Sequence, residues 1–190
     1  MKKLRTDNGG YALVYVLIVV LVLCAVAVSV CTAALKNYQA QEKSVRQTRQ
    51  LYQAEGEIEK FVALAEAVSN VSSRLTVSGT TYVSEDAATE DAVKNKAKDE
   101  AKTKYEEYLK SLASGYTLNL DTNKSDRESC KFTLTYKNDT VCIETEISMA
   151  LSYDVETTKT EEVITYTAKV SKATHSYNTY TITHLTAKGG

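Results

Sequence analysis

An α+β fold is predicted for this chain, with a long N-terminal transmembrane helix packed, beside a second helix, on a four- to five-stranded antiparallel β-sheet. Three observations predict it. Residues 11–35 contain no Asp, Glu, Lys, Arg or His, residues 36–75 keep helical spacing without a proline, and residues 116–190 alternate with a period of two. The 190 residues suffice for one modest domain and a separate membrane or stalk segment. A net charge of -1, with Lys+Arg 23 against Asp+Glu 24 and no basic cluster, removes the electrostatic motive for binding nucleic acid.

The first element is the apolar run YALVYVLIVVLVLCAVAVSVCTAAL, residues 11–35. It is long enough to cross a hydrocarbon core of roughly 30 Å. Lys2, Lys3 and Arg5 precede it, so the positive-inside tendency keeps the N-terminus cytoplasmic and the rest of the chain outside. A secretory signal cut after Ala27 or Ala33 competes with this reading, but the run is longer than an ordinary signal core. Leu23 and Val30 stand before Cys24 and Cys31, where a lipoprotein signal requires a small residue, so lipidation is set aside.

The ten residues before the run, MKKLRTDNGG, form a short basic leader that ends in Gly10 and is followed by the aromatic Tyr11. Leader, glycine, aromatic and uninterrupted apolar helix together resemble the class III signal of type IV pilins and pseudopilins. The resemblance implies cleavage by prepilin peptidase between Gly10 and Tyr11, methylation of the new N-terminus, and assembly with other pilin subunits through the apolar helix. The chain departs from the pattern at Tyr15, where most major pilins carry a glutamate that pairs with a neighbouring subunit's N-terminal ammonium. Minor pilins at a filament tip commonly lack that glutamate, and the Ala12-Leu13-Val14 start resembles minor pilins of the PilX type.

Residues 36–75 extend the same helix, interrupted only by Gly56. Tyr38, Val45, Tyr52, Ile58, Val62 and Ala65 form a stripe that strengthens toward the C-terminal end, which is expected to pack on the outer domain. Residues 76–86 read as a loop, with an N-cap at Ser84 or Asp86 for a second helix over 87–113. Val93, Ala97, Ala101, Tyr105, Tyr108 and Leu112 give that helix an apolar face, and Gly115 stops it.

From Tyr116 onward the alternation predicts strands around 116–121, 130–136 and 141–155, and two more over 163–170 and 177–185. With Asn138-Asp139 as a two-residue hairpin loop, Tyr136 faces Val141 and Leu134 faces Ile143. Cys130 then lies near Ile147, and Cys142 points to the other face. A Cys130–Cys142 disulfide, the one outer-domain candidate, needs a different register, so it is expected to be absent or optional.

Chemistry is hard to find. His175 and His184 have no cysteine or carboxylate at metal-ligand spacing and read as surface or strand-end residues. The acidic stretch 84–91 and Glu161-Glu162 lack the alternating oxygens of a calcium loop and read as a helix N-terminus and a strand start. No phosphate loop or nucleophile elbow occurs. Tyr166, Tyr177 and Tyr180 are candidates for an adhesive or subunit-contact face, weighed against ordinary sheet packing.

The expectation is therefore a non-enzymatic surface protein without cofactor or metal, in contact with membrane lipid. Its organisation is a leader over 1–10, a transmembrane helix over 11–35, the helix extension over 36–75, a loop and second helix over 76–115, and a sheet over 116–190. The pilin resemblance implies a minor subunit of a surface filament or a related secretion or DNA-uptake apparatus. The alternative is a single-pass anchored protein, never cleaved, with a partner-binding outer domain.

Overall fold

The computed structural model describes residues 9–82, 90–121, 126–138 and 141–184. The chain divides into two compact units, residues 1–49 and 50–190, and the first helix, α1 (Gly9–Glu66), contributes to both. In the first unit every side chain described on α1 is exposed. An 18-residue window of α1 has a mean hydropathy of 3.2, so the helix is long and apolar enough to cross a membrane. Ser29 and Thr32, inside the apolar run, donate their hydroxyls to the Ala25 and Val28 carbonyls at 2.8 Å. Hydroxyls bonded back within their own helix do not oppose an apolar environment.

The second unit is an antiparallel sheet with helices on one face, as the alternation predicts. Its elements are β1 (Val77–Tyr82), α3 (Glu90–Leu112), β2 (Thr117–Leu120), β3 (Ser129–Lys137), β4 (Val141–Lys159) and β5 (Val163–His184), with the single-turn α2 (Ser72–Leu75) before β1. The strand order is β1-β5-β4-β3-β2. The last turns of α1 bury Ala54, Ile58, Phe61, Val62 and Ala65, while α3 buries Val93, Ala97, Ala101, Tyr105 and Leu109. Both sets follow helical spacing and meet Phe132, Leu134, Ile143, Ile147, Met149 and Ile164 from the sheet in one core.

Four expectations are corrected. The first helix ends at Glu66 rather than Leu75; a 3-10 turn, Val68–Val71, and α2 follow. Ser69, Asn70, Ser72 and Ser73 compete for the backbone with their own side chains, which weakens continued helix there. The end of α1 is instead satisfied from outside, because Tyr105 and Tyr108 of α3 donate to the Ala65 and Leu64 carbonyls at 3.0 Å.

Residues 77–82 are not a loop but the edge strand β1, paired with β5 from Val77↔Ala168 to Tyr82↔Val163. Gly79 is required there: a Cβ at this position would lie 2.3 Å from the Tyr166 hydroxyl oxygen. The expected N-cap residues Ser84 and Asp86 lie outside the described residues. Gly115 does end α3, with φ +92 and a Tyr116 N–H bond to the Ala113 carbonyl at 3.0 Å.

The β3–β4 register is displaced from the expected one, with Tyr136 opposite Ile143 and Leu134 opposite Thr145. The Asn138 N–H donates to the Val141 carbonyl at 3.0 Å and the Asn138 side chain accepts from the Val141 N–H at 2.8 Å, which moves the turn one residue onward. A displacement by two preserves which side chains face the core.

The two expected C-terminal strands are one strand, β5. The register passes from Tyr153↔Val170 to Ser152↔Lys172 and from Ile147↔Tyr177 to Glu146↔Thr179, leaving Ser171 and Asn178 as extra residues. Each bulge shifts the alternation by one. The helix-facing set therefore runs Ile164, Tyr166, Ala168, Val170, then Ala173, His175, Tyr177, then Tyr180 and Ile182.

Candidate functional site

In the first unit the residues singled out are Gly10, inside α1, with Tyr11 and Tyr15, which are 75% and 69% exposed. Residues 1–8 of the leader lie outside the described residues. Cys24 and Cys31 are exposed on the same apolar stretch.

In the second unit Cys130 is buried opposite Met149, and Cys142 is half-buried opposite Lys137. They belong to opposite faces of the sheet. Burial pushes the Cys130 thiol up to about 12, which leaves it a protonated core group.

His175 is half-buried and partnered rather than a free surface residue. The bulge at Ser171 turns it toward the end of α1, where its backbone N–H and ring Nδ1 lie 3.0 Å and 2.8 Å from Glu66 Oε1. Tyr177 stacks edge-on against its ring, with centroids 4.9 Å apart. The side-chain and backbone hydrogen bonds from His175 hold the Glu66 carboxyl below its ordinary value. Sequence reading missed this pair because odd spacing along β5 assigns His175 to the wrong face until the bulge is counted. The His184 side chain lies outside what is described.

Among the described residues, no group of three or more His, Cys, Asp or Glu side chains is placed to hold a metal ion. Glu90 sits in the first turn of α3, bonds Lys94 at 2.8 Å and accepts from Thr157 at 3.0 Å, as a helix N-terminal acid does. Residues 84–89 lie outside the described residues. Glu161 and Glu162 occupy the turn before β5, closed by a Thr160 N–H bond to the Val163 carbonyl at 2.8 Å.

A cavity of about 280 Å³ opens where β2 ends, lined by Asn119, Asp121, Lys131, Phe132, Glu146 and Ile147. Beside it the nearly buried Lys102 donates from Nζ to the Asp126 carbonyl at 2.7 Å, and Asp126 accepts from the Ser129 hydroxyl. Lys102 thus fastens α3 to the start of β3.

The three tyrosines separate. Tyr166 is a core residue whose hydroxyl donates to Glu100 at 2.7 Å; burial first, then that bond, raises it to about 12. Tyr177 and Tyr180 remain 43% exposed and Ile182 37%. Burial and then the field of Glu55 raise Tyr180 to about 12, with Glu59 adding to it, and Tyr177 stacks on the His175 ring that bonds Glu66 of α1. Large rigid aromatics beside carboxylates suit a contact with a basic partner surface. Comparisons with protein-family models, curated proteins and solved structures find no match to this chain.

Proposed function

We propose that the chain is a minor, type IV pilin-like subunit: inserted in the membrane with its N-terminus cytoplasmic, cut after Gly10 by a prepilin peptidase, and drawn into a surface filament or related apparatus. The observation that carries this reading is the continuity of α1. A window of mean hydropathy 3.2 with no buried residue runs on, in the same helix, into a stretch packed on an antiparallel sheet. The leader MKKLRTDNGG ahead of Tyr11 supplies the processing signal.

Tyr15 supports a minor subunit, since a chain without a carboxylate in the apolar run has nothing there to pair with a neighbour's ammonium. The same residue favours the second reading, an uncleaved single-pass anchor bearing a partner-binding outer domain. Intact mass and N-terminal sequencing of the protein extracted from its native host decide between them. Processing predicts a chain starting at methylated Tyr11, with Gly10→Val left uncut; a start at Met1 in both refutes it.

A further inference from the structure

The polar part of α1 is divided by charge. Between residues 36 and 49, Lys36, Lys43, Arg46 and Arg49 outweigh Glu42 and leave a net +3; between 50 and 66, Glu55, Glu57, Glu59 and Glu66 outweigh Lys60 and leave a net -3. Two parallel copies in register would set like charge against like. A shift of one copy along the axis sets the basic stretch of one against the acidic stretch of the other.

We propose that the surface formed by Tyr52, Glu55, Glu59, Tyr177 and Tyr180 receives the basic stretch of α1, centred on Arg46 and Arg49, from a second copy of this chain. The proposal deepens the subunit reading and rests on it for the parallel orientation of the copies.

Complementarity extends from charge to shape. Tyr52, Glu55 and Glu59 are three and four residues apart and share one helix face, as do Arg46 and Arg49. Tyr52 is 68% exposed; Tyr177 stacks on the His175 ring that bonds Glu66 of α1, and Tyr177 and Tyr180, both on the helix-facing side of β5 and 43% exposed, carry the aromatic surface on from the helix. Guanidinium groups bond carboxylates bidentately and stack on tyrosine rings, which lysine does poorly. Arg46 already bonds Glu42 at 2.5 Å, but an exposed pair of that kind is worth little and yields to a better-shielded partner.

Donor and acceptor surfaces differ, so the contact is heterologous. A dimer therefore retains one unused surface of each kind, and association continues beyond it.

The test compares the full-length chain in detergent micelles at low ionic strength with Arg46→Glu/Arg49→Glu, with Glu55→Lys/Glu59→Lys, and with an equal mixture of the two, by sedimentation velocity. The expected result is a series of oligomers that added salt dissolves, loss of the series in each double variant, and its return in the mixture. Glu59→Gln keeps the size and polarity of the side chain and weakens the series in the same direction without endangering the fold.

A wild-type chain that stays monomeric, oligomers that survive both reversals, or a mixture that fails to reassociate while Glu59→Gln is without effect would each overturn the contact. Intact mass on the same samples reads processing separately. A chain starting at Met1 that still obeys the charge rule refutes the subunit reading and leaves the contact standing; a chain starting at Tyr11 that is monomeric throughout does the reverse.

Discussion

Gly79 and Gly56 look alike in sequence and carry opposite costs. On β1, Gly79 lies under the Tyr166 ring, and any Cβ there collides with a side chain whose hydroxyl is fixed on Glu100. Gly79→Ala is expected to destabilise the second unit by about 1–3 kcal/mol, the usual range for overpacking. Gly56 has nothing within 4 Å of its would-be Cβ and sits in the interior of α1. Gly56→Ala is expected to stabilise by about 0.5–1 kcal/mol, through helix propensity and a less free unfolded chain. Denaturant titration of both variants checks the pair, and equal effects would refute the packing assigned to Tyr166. Neither role is legible in the sequence, where Gly79 reads as a loop marker and Gly56 as a helix breaker. What distinguishes them is a contact with Tyr166, 87 positions away from Gly79.

Among elements, the join between the end of α1 and the middle of β5 is the most informative. It rests on Glu66, which accepts both His175 hydrogen bonds. Because the folded carboxyl titrates below its ordinary value of 4.5, its contribution is complete above that value and is lost as pH falls through the lower, folded one. Wild-type stability should therefore fall more steeply with acidification below about pH 4.5 than that of Glu66→Gln, which has no carboxyl to protonate. Parallel pH profiles would exclude the pairing. Helix faces were readable in advance: the apolar spacing of α1 after Leu51 and of α3 names most of what they bury. Strand faces were readable only between bulges. Val170 and Ala173 both face the helices although their positions differ in parity, and an alternation rule reads that as the end of a strand. β1 escaped notice because VSGTTY has no strongly apolar residue beyond Val77 and lies against the sheet at its edge.

For the whole molecule, core and apolar run belong to different units. Among the described residues the buried cluster lies between Ala54 and Ala173, and none of it comes from the first unit. A chain beginning at Gln50 is expected to fold without detergent and to unfold in one cooperative transition by circular dichroism. A fragment that stays unstructured would show that the N-terminal unit supplies stability the core does not account for. Topology also imposes an order in time. Among the described strands β1 is made first and its partner β5 last, with Val77 waiting for Ala168. β4 likewise lacks one of its two neighbours until residue 163 and beyond have been made. Local hairpins and helices can flicker early, but the sheet cannot close before β5 has been made, and such long-range pairing is slow. Until then the sides of β1 and β4 that receive β5 present unpaired backbone groups, so a chain stopped before residue 163 is open to pairing with a strand of another molecule.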